Sequence, residues 1–103
     1  MASMMFMHWP GIERDQYEAV KGIAKWDQET PDGAKLHLVG FDDDGMHVTD
    51  VWESPDHFNR WMDGDLGAAI QEVGVEGQPD VRWVPVSGVF APAFGQEGQR
   101  ETI

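Results

Sequence analysis

An α+β fold with its elements in the order strand, helix, strand, strand, helix, strand is predicted by three features of the sequence. The alternating run GMHVTDVWE (residues 45–53) leads through Ser54-Pro55-Asp56 into a segment built on Phe58, Trp61, Met62 and Leu66. The turn Asp42-Asp43-Asp44-Gly45 separates that run from a second one rich in β-branched and aromatic residues, and shorter apolar runs stand near both ends of the chain. Alternation with period two marks strands, and apolar residues three and four apart mark a helix.

Met4 to Trp9 is a short apolar run closed by the turn residues Pro10-Gly11, and it reads as the first strand. From Asp15 to about Lys25, Tyr17, Val20 and Ala24 recur at helical spacing with Ile23 and Trp26 widening the stripe, while Glu18, Lys21 and Lys25 occupy the other face. Trp26 is expected to cap the end of this helix, and Thr30-Pro31-Asp32-Gly33 to close the segment. Ala34 to Phe41 and Met46 to Glu53 are predicted strands, and the Asp-Gly between them is a strong hairpin signal. In the second helix, Ser54 supplies an N-cap oxygen, Pro55 suits the first helical position, and Asp56 complements the helix dipole. Phe58, Trp61, Met62, Leu66, Ala69, Ile70 and Val73 form its buried stripe, and Gly74 stops it. Asp80 to about Phe90 is the last strand, and Pro85 inside it cannot donate to a ladder, which argues for an edge position or an edge-like region.

This order is the split βαβ, or ferredoxin-like, plan: a four-stranded antiparallel sheet with both helices on one face. The expected unit is a single domain over residues 4–90, followed by a tail over 91–103 rich in Gly, Gln and Glu that is mobile or held by a partner subunit. The sheet face opposite the helices needs a cover, and a second copy of the sheet is the simplest one, giving a symmetric homodimer.

The 103 residues carry 19 acidic and 7 basic side chains, a formal net charge of −12, which repels phosphate backbones and anionic membranes. Nucleic acid and membrane are therefore set aside as partners. With no cysteine there is no disulfide framework and no thiol chemistry, a composition compatible with the cytoplasm. Asp42 to Asp44 lacks the alternating ligand spacing of a calcium loop and reads as turn chemistry, so no metal is expected. His8 and His47 lie on strands with no obvious sequence partner, and His57 is expected to be exposed in the first turn of the second helix.

The HWPG after the first strand, the Tyr-x-x-Val helix, the DDDG hairpin and DVWESPDHFNRWM together resemble the dimeric α/β-barrel superfamily that includes antibiotic-biosynthesis-type monooxygenases. The resemblance covers roughly residues 4 to 90. It implies a homodimer whose two sheets close a barrel, with a ligand cleft in each subunit between the sheet and its own helices. Members include cofactor-independent oxygenases of polycyclic phenols, cyclases, haem-degrading enzymes and proteins without assigned activity. The haem-degrading branch fits poorly. Trp61 matches its helix tryptophan, but its iron-ligating histidine falls at or near Gln71, and its strand-one asparagine has no counterpart in Met4 to Trp9.

A hairpin loop of two or four residues puts His37, Val39 and Phe41 on the same sheet face as Met46, Val48, Asp50 and Trp52; a loop of three does not. With four, His37 stands directly across from Asp50; with two, it stands across from Trp52 with Asp50 diagonal. A carboxylate beside an imidazole fixes its tautomer and favours its protonation, which suits a general base. His37 and Asp50 are therefore the candidate catalytic pair, and Phe41, Trp52, Phe58 and Trp61 the candidate ligand-binding walls. The expected function is cofactor-free oxygenation or cyclisation of a small aromatic or polyketide-like molecule. The alternative is a ligand-binding or structural dimer in which the pair sits at the dimer seam and the aromatics only fill the core.

Overall fold

The computed structural model of the protein describes residues 2–94. Its elements are β1 (Ser3–Pro10), α1 (Arg14–Ala24), β2 (Ala34–Asp42), β3 (Gly45–Trp52), α2 (Pro55–Asp63), α3 (Asp65–Val73) and β4 (Asp80–Pro85), with a short 3-10 turn at Pro92–Phe94. The strands form one antiparallel sheet in the order β2-β3-β1-β4. This is the ferredoxin-like arrangement. Pro85 lies on β4, an edge strand, where its missing N–H costs no ladder bond.

Alternation sorts the side chains. Met5, Met7 and Trp9 of β1 and Met46, Val48, Asp50 and Trp52 of β3 are all buried under the helices. Tyr17 and Val20 of α1, Phe58 of α2, and Leu66 and Ala69 of α3 close the core above them. The opposite face of the sheet carries Met4, Phe6, Leu38, Thr49 and Val84, with Leu38 51% exposed.

Ser54 is the N-cap of α2, its Oγ accepting from the His57 backbone N–H, and Pro55 holds the first helical position. The expected single second helix is two. It breaks at Gly64, whose backbone (φ −108°, ψ −115°) ends α2 and starts α3. A side chain at Gly67 would place Cβ 2.2 Å from the Met62 carbonyl oxygen, so the first turn of α3 closes on α2 in a way only glycine permits. The apolar stripe crosses this break in phase, Met62 to Leu66 being four residues apart.

Four other expectations are corrected. The last strand stops at Pro85 and not near Phe90; among the described residues beyond it, Val86 N–H to the Ala2 carbonyl is the one further backbone bond back to the start of the chain. Helix α1 ends in a left-handed turn at Lys25 (φ 59°), and Trp26 turns inward instead of capping the helix. His57 is largely covered, its ring lying against Gly33, where an added Cβ would come within 2.6 Å of it. His8 and His47 are cross-strand neighbours, stacked with ring centroids 4.5 Å apart. Of the tail, residues 95–103 lie outside the described residues. Among the described residues no helix is long and apolar enough to cross a membrane.

Candidate active site

The β2–β3 ladder pairs His37 directly with Asp50, the register expected of a four-residue loop. Pairing continues to Asp42 and Gly45, so the turn is the two residues Asp43 and Asp44 and not four. The expectation that a two-residue turn sets His37 across from Trp52 is corrected, because the turn falls one residue before Asp44-Gly45 and so keeps His37 opposite Asp50. Near the other end of β2, a bulge at Lys35 shifts the register so that Ala34 faces Trp52. Both members of the His37–Asp50 pair lie on the face covered by the helices, away from the outer face that a partner sheet would meet.

Between that face and the helices is a cavity of about 260 Å³. Its walls are mainly apolar: Met7, Trp9, Trp52, Phe58, Trp61 and Leu66 among them. The rings are held edge to face, Trp52 on Phe58 with centroids 5.4 Å apart and Trp26 on Trp61 at 5.8 Å, the geometry that aromatic quadrupoles favour. Tyr17, His37 and Asp50 reach the wall as one hydrogen-bonded group, and Gln16, Thr30 and Lys35 also line it. A small apolar space with a few convergent polar groups is the usual form of a small-molecule site, here just below the usual range of roughly 300–1,000 Å³.

Asp50 is 4% exposed and both its oxygens are engaged. Oδ1 accepts from His37 Nδ1 at 2.6 Å, and Oδ2 accepts from Trp52 Nε1 at 2.9 Å. Trp52 therefore orients the carboxylate besides walling the cavity. With the proton of a neutral His37 on Nδ1, Nε2 presents its lone pair, and the Tyr17 hydroxyl 2.7 Å away donates to it. The result is a continuous chain from Trp52 through Asp50 and His37 to Tyr17. Burial, with the nearby charges of Glu18 and Asp50, pushes the Tyr17 phenol up to about 12, so it stays protonated at neutral pH.

Trp52, Phe58 and Trp61 line the cavity, whereas Phe41 stands behind it. Phe41 packs edge-on against Tyr17 with centroids 5.6 Å apart, and the Arg14 guanidinium lies 5.5 Å from its ring centre on another side. Two residues of the site escape a reading of the sequence. Tyr17 looks like one more member of the apolar stripe of α1, yet its hydroxyl reaches β2. Trp26 looks like the end of a helix, yet its ring packs edge-on against Tyr17, His37 and Trp61. The one available signal was the general need of a buried tyrosine hydroxyl for a partner.

No family model matches the sequence, and no curated protein matches it. Comparison with solved structures gives several likenesses over most of the chain. A dimeric ferredoxin-like protein of unknown function from Thermobifida fusca is 17% identical with a TM-score of 0.57, over 84% of this chain and 92% of that one. An antibiotic-biosynthesis-monooxygenase-like protein from Deinococcus radiodurans is 14% identical with a TM-score of 0.57, over 87% and 96%. SnoaB, a cofactor-independent oxygenase from Streptomyces nogalater, is 13% identical with a TM-score of 0.55, over 85% and 94%. The chain thus has the ferredoxin-like α+β fold of the antibiotic-biosynthesis-monooxygenase-like proteins, at identities that carry the fold alone.

Proposed function

We propose that the protein is a homodimer, each subunit a ferredoxin-like domain whose cleft takes up a small aromatic or polyketide-like molecule and removes a proton from it with His37 as base and Asp50 as its orienting partner. The observation that carries this reading is the His37–Asp50 pair, hydrogen-bonded at 2.6 Å, on the wall of a mainly apolar cavity of about 260 Å³. A phenol or enol that loses its proton there becomes an electron-rich anion. That anion reacts with dioxygen in a cofactor-free oxygenation, or with a carbonyl of the same molecule in a cyclisation. His37 is one-third exposed, so the proton it takes up has a path to water, while Asp50, 5% exposed at its side chain, balances the imidazolium. Trp52, Phe58 and Trp61 supply the apolar surface that holds the ring.

Support for the dimer comes from the outer sheet face, where Met4, Phe6, Leu38 and Val84 form an apolar surface that no helix among the described residues covers, with the Arg82 guanidinium over Phe6, and from the fold shared with a protein named as dimeric. The acidic, cysteine-free composition fits a cytoplasmic protein.

The test is dioxygen uptake and product analysis over a panel of one- to three-ring phenols and β-dicarbonyl compounds, with wild type, His37→Gln and Asp50→Asn compared. Turnover by wild type that falls by about 10² or more in His37→Gln, with binding retained, is the expected result. Binding without turnover in all three would instead establish a non-catalytic ligand-binding dimer. That second reading draws on one specific observation: both ring nitrogens of His37 already have partners within the chain, Asp50 and Tyr17.

A further inference from the structure

We infer that Tyr17 is the group that carries the proton between a ligand in the cleft and His37, and that it then holds the resulting ligand oxyanion. The inference rests on the reading of the cleft given above and adds to it a residue and a requirement on the ligand.

The geometry is specific. His37 Nε2, the nitrogen left free for base chemistry once Nδ1 is bonded to Asp50, is occupied by the Tyr17 hydroxyl at 2.7 Å. The tyrosine ring runs nearly parallel to the imidazole, 9° off with centroids 6.0 Å apart, and is braced edge-on by Trp26 at 5.5 Å and Phe41 at 5.6 Å. Only 9% of Tyr17 is exposed, and it lines the cavity. A ligand hydroxyl approaching the base thus meets a fixed phenol oxygen whose own proton already points at Nε2, and shares that oxygen with the neighbouring Trp26 side chain.

Proton transfer then runs in two linked parts. The ligand O–H breaks and its proton passes to the Tyr17 oxygen. The original Tyr17 O–H breaks and its proton passes to Nε2. The products are a ligand oxyanion, a neutral tyrosine with a re-formed O–H, and an imidazolium beside Asp50, with atoms and charge balanced. The new Tyr17 O–H points at the ligand oxyanion and donates to it, so the same group shuttles the proton and stabilises the anion. A phenol held in its protonated form suits this role, since it passes a proton on without becoming a resident tyrosinate. The ligand must therefore carry a hydroxyl, phenolic or enolic, at one end of an apolar body. A carboxylate would bring a second negative charge close to buried Asp50.

Tyr17 is the only tyrosine of the chain, which makes the test clean. The probe is 2-naphthol at about pH 8, largely un-ionised in water because phenols titrate near pH 10, with its naphtholate absorbance read to the red of tryptophan. Wild type is expected to bind it and raise the naphtholate fraction. Tyr17→Phe, which keeps the ring, is expected still to bind the un-ionised probe but to lower the naphtholate-to-naphthol ratio about tenfold or more, the effect of losing a hydrogen bond to a charged oxygen. Uniform incorporation of fluorotyrosine, which restores an O–H at this position alone, should restore ionisation and shift its pH dependence, and it carries the test should Tyr17→Phe fail to fold. Equal ionisation by wild type and Tyr17→Phe would overturn the role of Tyr17 and leave the cleft reading intact. Binding without ionisation by wild type would overturn the base reading and the relay with it. Failure of wild type to bind the probe would overturn the cleft reading first.

Discussion

Each face of the sheet carries a histidine bonded to an aspartate, and the two pairs differ in how far they are enclosed. On the helix-covered face, His37 and Asp50 meet at 2.6 Å with the aspartate side chain 5% exposed. On the outer face, His47 and Asp42 meet at 2.8 Å with both side chains about half exposed. The inner pair has a second donor on its carboxylate, a phenol on its imidazole and a cavity beside it. The outer pair is stacked on His8 at the hairpin and faces solvent. Water and salt screen an exposed ion pair until it contributes little, whereas a buried one that loses a partner leaves polar groups stranded. Distance alone therefore does not make a site; enclosure and the phenol that connects the pair to the cavity do.

The largest expected effect separates the two pairs. Asp50→Ala removes the acceptor of His37 Nδ1 and of the buried Trp52 Nε1, and should cost about 3 kcal/mol in chemical denaturation. Asp42→Ala should leave the unfolding midpoint nearly where it was. A loss of similar size in both variants would erase the distinction.

The next effect concerns the outer face as a whole. Leu38→Glu puts a charge on the surface assigned to the second copy, so light scattering should show the dimer give way to monomer, with the His37–Asp50 cleft still folded. An unchanged mass would mean that the sheets do not face each other.

A smaller effect appears at high pH. Tyr17 holds its proton up to about 12 in the folded state and up to about 10 when unfolded, so the folded form keeps a proton that the unfolded form has lost between those values. Its contribution is fully present below about pH 10 and lost as pH rises toward 12. Phenolate absorbance reports this residue alone, and should titrate near 12 in the native protein.

The smallest effect lies at the opposite end of the scale. The hydrogen bond from His47, followed by the Asp44 backbone N–H, holds the Asp42 carboxyl below the usual carboxylate range. Its contribution is present above the ordinary value, near 3.8, and is lost as pH falls through the depressed one. NMR titration of the Asp44 amide should follow that step, while the resonances of the cleft, on the other face, should not.

These contrasts mark how far the sequence reaches. The strand order, the hairpin, the Ser54-Pro55 start and the edge position of Pro85 were legible because each rests on local chemistry. The shared face of His37 and Asp50 was legible from alternation, but their direct pairing was not, because it depends on where the two-residue turn falls in Asp42 to Gly45 as well as on its length. The break at Gly64 was not, because the apolar stripe keeps its phase across it and the need for glycine comes from the approach of Gly67 to Met62. Tyr17 and Trp26 were hidden for a different reason. Helical spacing says which side of α1 a residue faces, not which strand its hydroxyl meets, and the left-handed turn at Lys25 that swings Trp26 over the site leaves no pattern in the sequence.

The central claim is that the cleft receives a small hydroxylated aromatic molecule with its oxygen at the Tyr17–His37 end. A crystal structure of the protein soaked with 2-naphthol tests it most directly. The expected result is the ring lying among Trp52, Phe58 and Trp61 with its oxygen within hydrogen-bond distance of the Tyr17 hydroxyl or His37 Nε2. A cleft filled by its own side chains, or a probe bound there with its oxygen turned away from both groups, would contradict the claim.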